Sequence, residues 1–348
     1  MNNRVVTFGE ILLRLTPPGY LKFQQSNTLY ATFGGSETNV AVSLAHFGMQ
    51  SDFVTRVPSN DIAEACIMNL RSHNVGTQHV IYGGDRLGLY YFENTASARV
   101  AKVVYDRANS SFCTIQKGMF DWDKVFEGAT WFHWSGIGPS LSQSAADVTL
   151  EAIEAAEKRG ITISADLNFR KNLWKYGKSA EEVMPALAQH CNVMFGTEGE
   201  YQKAFGVSPV AYNATSPSDP IDIEAHKEFC KAVMAKAPNC KKMFVALRNV
   251  VSANVHVLSE LLYTSDGKFY VGQTHLIDHV VDCVGCGDAM AAGLIYGLNN
   301  FADDDEKTLN FSVAAGTLKN TIQGDYNLVS VSDVLTLMGG SDSGNVSR

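Results

Sequence analysis

The sequence predicts an α/β protein that is built on a mostly parallel sheet and carries a smaller inserted sheet. Three observations lead to this prediction. Short apolar runs alternate with helical runs of about 10–15 residues, a spacing typical of strands joined by helical crossovers. Residues 87–112 break the alternation, because two strand-like runs follow each other there without a helix between them. The length of 348 residues fits one large α/β domain with an insertion, or two smaller domains.

Composition and charge exclude several classes of protein. The chain has 45% hydrophobic and 18% charged residues, unlike a disordered or collagen-like chain. Its seven cysteines are scattered and odd in number, unlike a secreted disulfide framework. A net charge of −8 disfavours a general nucleic-acid or anionic-membrane binder. The N-terminus becomes polar at Gly9, too early for a signal peptide, and no apolar run is long enough to span a membrane. We therefore expect a cytoplasmic protein without nucleic-acid or membrane partners.

The first part of the chain contains the insertion and the elements around it. Strands are predicted at residues 5–8 and 51–57, and helices at residues 38–47 and 61–73, with Asp61 as the N-cap of the second helix. Further strands at 89–92 and 101–105, together with strands within 11–33, are expected to form the small sheet. The insertion therefore comprises about residues 11–33 and 87–113.

The rest of the chain alternates regularly between strands and helices. Strands are predicted at residues 130–134, 161–167, 193–195 and 243–247, and helices at residues 143–159, 180–190, 198–205 and 224–237. Gly160, Gly206 and Pro238 stand where three of these helices end. Residues 214–222 are predicted to be an exposed loop. One domain is expected to span residues 1–340, followed by a polar tail at 341–348.

The most specific local pattern is Asp-Cys-Val-Gly-Cys-Gly-Asp at residues 282–288, which precedes an alanine-rich apolar helix. The backbone N–H groups of Gly285, Cys286 and Gly287 can converge there at a helix N-terminus, and such a cluster suits a phosphate. Asp288 would lie beside a transferred phosphoryl group and could accept a proton from an attacking hydroxyl. A glycine-rich turn with an acidic residue in the first helical turn remains an open alternative.

Two other interpretations of this segment are disfavoured. It lacks the Gly-Lys-Ser/Thr of a Walker A loop, and no Gly-x-Gly-x-x-Gly opens the chain as in a dinucleotide-binding protein. Cys283 and Cys286 have the Cys-x-x-Cys spacing of a redox pair but not its thioredoxin-like context, and no second cysteine pair completes a zinc site. We expect both cysteines to be small buried side chains.

Three further patterns bring polar side chains to candidate ligand positions. Gly34-Gly35 precedes a helix that carries Asn39, and paired glycines allow a ligand to approach the backbone closely. Residues 166–170 (Asp-Leu-Asn-Phe-Arg) follow a predicted parallel strand, at the edge where α/β sheets bind ligands. Tyr90 and residues 105–107 (Tyr-Asp-Arg) lie on the small sheet and could bind an oxygen-rich anion. A capped turn, a surface arginine and a cross-strand salt bridge remain the alternatives.

In this order, the four patterns resemble those of the ribokinase (PfkB) family of carbohydrate kinases over about residues 4–338. That family has Asp-Thr-x-Gly-Ala-Gly-Asp near its C-terminus, and here Cys283 and Cys286 replace the threonine and the alanine. Its Asn-x-x-Glu motif, which supports magnesium and phosphate, corresponds to residues 197–200, with Thr197 in place of the asparagine. The resemblance implies a ribokinase-like three-layer sandwich whose small sheet is a lid.

Within the family the chain is most similar to 2-keto-3-deoxygluconate kinases, in residues 87–90, 105–107, 166–170 and 321–327. The resemblance implies ATP-dependent phosphorylation of the 6-hydroxyl of 2-keto-3-deoxy-D-gluconate, with Asp288 as the general base. ATP and Mg²⁺ are the implied cofactors, and the use of a monovalent cation is left open. The implied site comprises an anion hole (Gly285, Cys286, Gly287), substrate contacts (Gly35, Asn39, Tyr90, Tyr105, Arg107, Arg170), nucleotide contacts (Asn168, Thr197, Glu200, Arg248, Asn320) and Glu200 near Mg²⁺ through water.

Charge favours a sugar acid over a neutral sugar, because two arginines that converge on a substrate suit a carboxylate. A fructokinase-like sugar kinase and a sugar-acid sensor that binds without transfer remain the alternatives. Asn320 and Gln323 stand where histidine and proline are common in the subfamily, which makes the adenine contacts the least defined part of the site. The strand edges of the lid predict a homo-oligomer that pairs through it.

Overall fold

A large, mostly parallel sheet forms the centre of the molecule in this computed structural model, which describes residues 3–302 and 304–340. The strands are β1 (Arg4–Phe8), β2 (Leu12–Thr16), β3 (Tyr30–Gly34), β4 (Gln50–Val54), β5 (Arg56–Val57), β6 (Ile81–Tyr82), β7 (Gly88–Glu93), β8 (Lys102–Asp106), β9 (Ala129–Ser135), β10 (Thr162–Asp166), β11 (Val193–Thr197), β12 (Lys242–Ser252), β13 (Val255–Thr264), β14 (Phe269–Val271) and β15 (His275–Ile277). The large sheet has the order β14-β13-β12-β11-β10-β9-β1-β4, and β15 also pairs with β13.

Helices cover both faces of the large sheet. They are α1 (Ser36–His46), α2 (Asp61–Ser72), α3 (Trp122–Val125), α4 (Gln143–Glu157), α5 (Ala180–Ala188), α6 (Glu198–Phe205), α7 (Ile223–Met234), α8 (Cys286–Asn300), α9 (Asp305–Lys319) and α10 (Val331–Met338). Because side chains alternate along a strand, Val5 of β1 packs against α1, α8 and α9, and Val6 packs into the core formed with α4 to α7. The predicted three-layer α/β architecture is confirmed.

The small sheet has the order β3-β2-β7-β8. Strands β2 and β7 are parallel, whereas the β2–β3 and β7–β8 pairs are antiparallel. The prediction of strands within residues 11–33 and 89–105 is therefore confirmed. In β2 the residues Leu12, Arg14 and Thr16 share the buried face, so this strand carries a buried arginine.

The structure corrects several sequence-based assignments. Asn60, not Asp61, is the N-cap of α2, because the Asn60 side chain accepts a hydrogen bond from the N–H of Ala63. The predicted strand at 51–57 is divided: β4 joins the large sheet, and β5 pairs with β6 in a separate ribbon. The strand predicted at 243–247 continues to Ser252 and turns back as β13, which gives the sheet an antiparallel edge.

Other predicted features agree with the structure or lie outside it. Residues 214–222 form an irregular loop, and α6 ends at Gly206 in a left-handed conformation with φ of +68°. The tail predicted at 341–348 lies outside the described residues. Among residues 3–302 and 304–340, no helix combines the length and the apolar character that crossing a membrane would require.

Candidate active site

A cavity of about 520 Å³ lies at the carboxyl ends of β10, β11 and β12, beneath the small sheet. This is the edge at which parallel α/β sheets bind ligands. Every predicted site residue except Asn320 lines it: Gly35, Asn39, Tyr90, Tyr105, Arg107, Asn168, Arg170, Thr197, Glu200, Arg248, Gly285, Cys286, Gly287 and Asp288. The structure thus brings together side chains that are distant in the sequence, whereas their roles remain predictions.

The segment 282–288, which we call the anion loop, leads into α8. Gly285 is the N-cap of α8 and has a φ of +84°. A Cβ there would lie 2.0 Å from the carbonyl oxygen of Asp325, so both conformation and space require glycine at this position. The N–H groups of the first turn of any α-helix have no partner within the helix, and α8 presents this end, with its partial positive charge, to the cavity.

The Asp288 carboxylate is held between the N-termini of α1 and α8. Ser36 Oγ donates a hydrogen bond to Asp288 Oδ1 at 2.8 Å, and Asn39 Nδ2 donates to Oδ2 at 2.7 Å. Burial raises the pKa of Asp288 above its ordinary value, although these two donors and the charge of Arg170 act in the opposite direction. A buried carboxylate with fixed orientation and a raised pKa is suited to accepting a proton.

Ser36 is a site residue that the sequence did not reveal. Its hydroxyl accepts a hydrogen bond from Asn168 Nδ2 at 2.7 Å and donates one to Asp288, and it therefore connects the end of β10 to α8. Asn168 has a φ of +40°, a conformation that asparagine tolerates better than most residues. The sequence signal at Ser36 was its position after Gly34-Gly35, which also fits an ordinary helix cap.

A second group of acidic side chains lies next to Asp288. Glu200 Oε2 accepts hydrogen bonds from Thr197 N at 2.8 Å and from Thr197 Oγ1 at 2.9 Å, which fixes the carboxylate at the start of α6. Burial, together with Glu200 and Asp288, raises the pKa of Asp166 well above its ordinary value. Within the described residues no group of three or more His, Cys, Asp or Glu side chains is arranged to hold a metal ion. The carboxylate oxygens of Glu200 are of the type that Mg²⁺ prefers as ligands.

The two predicted substrate arginines differ in how they are held. Arg107 is buried, its Nε donates to Glu10 Oε2 at 2.8 Å, and its guanidinium lies 5.6 Å from the centre of the Tyr105 ring. Arg170 lies 3.4 Å from Glu200 Oε1, and its side chain is 44% exposed. Arg170 therefore presents a more accessible positive charge to the cavity, while Arg107 is fixed by a buried carboxylate.

Arg14 links the small sheet to the anion loop, and the sequence did not reveal it. Its Nη2 donates to Asp282 Oδ2 at 2.6 Å, and its Nη1 donates to Asp325 Oδ1 at 2.8 Å. Tyr90, which was predicted to contact substrate, lines the cavity, but its hydroxyl donates to both oxygens of the Asp325 carboxylate, at 2.7 and 2.6 Å. The available sequence signal was a single charged residue within the apolar run Ile11-Leu12-Leu13-Arg14-Leu15.

Asn320 does not line the cavity, and Cys283 is less buried than predicted. Asn320 lies behind the anion loop, where its Nδ2 donates to the carbonyl oxygen of Gly316 at 2.7 Å and to Cys286 Sγ at 3.2 Å. It is therefore part of the support of the loop and does not line the cavity. Cys286 is buried as predicted, whereas Cys283 is half-buried and lines the cavity, and both thiols are free.

Comparison with known proteins identifies the family of this chain. A model of the pfkB family of carbohydrate kinases matches residues 2–246. The chain belongs to this family. It is thus a sugar kinase. The anion loop lies beyond the residues that the family model matches, but the similar proteins described next cover nearly the whole chain.

Three similar proteins each cover nearly the whole chain. A crystal structure of 2-dehydro-3-deoxygluconokinase from Thermotoga maritima is 36% identical, has a TM-score of 0.89 and is matched over 97% of this chain and 100% of that one. A 2-dehydro-3-deoxygalactonokinase from Haloferax volcanii is 26% identical over 99% of both chains. A fructokinase from Xylella fastidiosa with bound ATP is 20% identical, with a TM-score of 0.76, and covers 99% of this chain and 100% of that one. This last likeness concerns the fold alone.

Proposed function

We propose that this PfkB-family kinase transfers the γ-phosphoryl group of ATP to the 6-hydroxyl of 2-keto-3-deoxy-D-gluconate. The observation that carries the proposal is that one cavity holds the Asp288 carboxylate, the N-terminus of α8 and the exposed guanidinium of Arg170. The Asp288 carboxylate can accept a proton, and the N-terminus of α8 can bind a phosphate. The Arg170 guanidinium can bind the carboxylate of a sugar acid. The relatives named for 3-deoxy sugar acids support this choice of substrate.

Asp288 and the anion loop carry the transfer step. Asp288 accepts the proton of the 6-hydroxyl while the bond from the sugar oxygen to the γ-phosphorus forms and the bond from that phosphorus to the β-γ bridging oxygen breaks. ADP leaves, and the proton remains on Asp288 until solvent removes it. The N–H groups of Gly285, Cys286 and Gly287 neutralise charge on the γ-phosphoryl oxygens. Positioning and charge neutralisation supply most of the acceleration in such reactions.

The sugar acid is held between the small sheet and the large sheet. Arg170 and Arg107 bind its carboxylate, Tyr105 and Tyr90 line the side formed by the small sheet, and the backbone at Gly35 allows close approach. A Cβ on Gly35 would lie 2.2 Å from the carbonyl oxygen of Glu10, so this position accepts only glycine. Hydrogen bonds between charged partners are about twice as strong as neutral ones, so the site favours an acid over a neutral sugar.

The nucleotide is assigned to the other side of the cavity, beside β11 and β12. Thr197 ends β11, Arg248 lies in β12 and Asn168 follows β10, and all three line the cavity. The ATP-bound fructokinase supports the use of ATP in this fold. The donors of the anion loop fit the phosphates of a nucleotide. Glu200 would hold Mg²⁺ through water, and the ion would neutralise charge on the phosphates. All seven thiols are free, which supports the proposed cytoplasmic location.

The proposal is tested by measuring ATP consumption with purified protein over a panel of sugars and sugar acids. We expect kcat/KM for 2-keto-3-deoxy-D-gluconate to exceed that for fructose by about 100-fold or more, because a neutral sugar has no carboxylate to form charge-assisted hydrogen bonds with the two arginines. Phosphorus NMR of the product should show a phosphate monoester at the 6-position. Preference for fructose would indicate a fructokinase-like enzyme, and binding without ATP consumption would indicate a sensor.

We also propose that two copies pair through their small sheets. Apolar side chains are exposed on this sheet, including Tyr30 at 51% and Val104 at 53%. Strands β3 and β8 form the edges of this sheet, and unprotected strand edges favour pairing. We expect light scattering to give a dimer mass for the wild-type protein and a monomer mass for Val104→Lys. The same mass for both proteins, whether monomer or dimer, would contradict pairing through this face.

A further inference from the structure

Lys319, which the proposed mechanism does not use, is fully buried directly behind the anion loop. It is the last residue of α9, with a relative exposure of 0%. Its Nζ donates hydrogen bonds to the carbonyl oxygen of Ile322 at 2.9 Å and to the carbonyl oxygen of Asp282 at 3.3 Å. Its Cε would lie 3.3 Å from a Cβ on Gly285. The ammonium group therefore joins the first residue of the anion loop to the segment that follows α9.

The surroundings of Lys319 are those of a cation site. Burial lowers the pKa of Lys319, but the nearby Asp282 and Asp325 carboxylates act in the opposite direction and favour the charged form. Arg14 binds the same two carboxylates from the small sheet. Backbone carbonyl oxygens that converge on one point are also the ligands that hold an alkali-metal ion. Here a covalently attached ammonium lies at that point.

This position gives Lys319 a direct influence on the loop that faces the phosphate. The backbone of the loop is fixed by N–H groups of Val281 and Asp282 that donate to the carbonyl oxygen of Asn320 at 2.8 and 3.3 Å. The ammonium holds the carbonyl oxygen of Asp282 from the other side. Since anion binding depends on the orientation of backbone N–H groups, a fixed positive charge here preorganises them.

We propose that Lys319 is a built-in cation that positions the anion loop, so that phosphoryl transfer by this chain requires no monovalent metal ion. Lys319 is a positioning residue, because it acts on the transferred group through the loop. This inference rests on the proposed function. It adds a statement about which ions the reaction needs.

The first test compares wild-type turnover in tetramethylammonium chloride and in KCl at equal ionic strength. ADP is quantified by chromatography so that no coupling enzyme contributes its own ion requirement. We expect the two kcat values to agree within about twofold, because the cation is already part of the chain. Turnover that occurs only in KCl would overturn the proposal about Lys319. Absence of turnover in both salts would instead count against the proposed substrate. The comparison of the two salts is then repeated with the best substrate from the panel of sugars and sugar acids.

The second test replaces the ammonium. Loss of one preorganised donor that contacts an oxyanion directly lowers kcat about 10²–10³-fold. Lys319 acts only through the loop, so we expect a smaller effect: Lys319→Met should lower kcat about 10- to 100-fold in tetramethylammonium chloride. The KM for the sugar acid should stay within about twofold, since Lys319 does not line the cavity. Addition of K⁺ or NH₄⁺ should restore part of the lost kcat. Lys307→Met, which changes an exposed lysine of the same helix, is the matched control and should retain wild-type kcat.

Outcomes of the second test separate positioning from simple stabilisation. A lower melting temperature of Lys319→Met with wild-type kcat for the folded protein would contradict the proposal, as would a loss that neither K⁺ nor NH₄⁺ restores. If Lys319→Met does not fold, Lys319→Arg retains the charge and should keep wild-type independence of K⁺. Dependence of that variant on K⁺ would overturn the proposal.

Discussion

Asp288→Asn is expected to lower kcat for phosphoryl transfer about 10²–10⁴-fold, the usual effect of removing a general base. The asparagine side chain has nearly the same volume but cannot accept a proton from the 6-hydroxyl. The KM for ATP should stay within about twofold, because the N–H groups of the anion loop belong to the backbone and remain in place. Steady-state kinetics with both substrates measures the two effects separately.

The pH dependence of kcat provides an independent test of Asp288. Burial raises the pKa of this carboxyl, so its basic form is lost on acidification at a higher pH than for an exposed aspartate. We expect wild-type kcat to fall as the pH decreases through this raised pKa, and the residual activity of Asp288→Asn to lack that inflection. Wild-type turnover in Asp288→Asn, with a melting temperature that shows a folded protein, would exclude Asp288 as the base.

Arg170→Ala is expected to raise the KM for the sugar acid at least about 30-fold, equivalent to about 2 kcal/mol. Truncation of one partner of a buried charge pair costs about 2–5 kcal/mol. Since the Arg170 side chain is 44% exposed in the absence of substrate, the lower end of that range applies. The KM for ATP and the KM for a neutral sugar should change little. The comparison therefore isolates recognition of the carboxylate.

Arg170 is a clearer test of the carboxylate site than Arg107. Removal of Arg107 leaves Glu10 buried without its ionic partner, which by itself destabilises the fold by about 3–5 kcal/mol. Arg159→Ala is the matched control for Arg170→Ala, because Arg159 is also partly exposed and pairs with a carboxylate, that of Asp123, but does not line the cavity. Equal KM values for the acid in Arg170→Ala and Arg159→Ala would refute the proposed role of Arg170.

The parts of the site that the sequence predicted are those encoded by short segments. The anion loop could be found because two glycines and an aspartate within residues 282–288 specify a tight turn and a helix start. Asp166 to Arg170 could be found because the end of a parallel strand is a known ligand position. In each case the local sequence determines the local geometry, and the topology of the sheet then brings the segments together.

The parts that the sequence did not reveal depend on contacts between distant residues. Arg14 and Asp325 are separated by 311 positions, and no local pattern pairs them. The place of Asn320 could not be predicted, because its segment turns behind the anion loop and only the packing of α9 against α8 determines that turn. The β12–β13 hairpin was missed because β13 is buried along nearly its whole length and has no regular alternation of buried and exposed residues to mark it as a strand.

A crystal structure with a non-hydrolysable ATP analogue and 2-keto-3-deoxy-D-gluconate would show the reacting groups together. We expect γ-phosphoryl oxygens within about 3.2 Å of the backbone nitrogens of the anion loop, and the sugar 6-hydroxyl within about 3.2 Å of an Asp288 carboxylate oxygen. A nucleotide whose terminal phosphate lies away from the loop, or a sugar acid whose 6-hydroxyl faces another residue, would contradict the proposed mechanism.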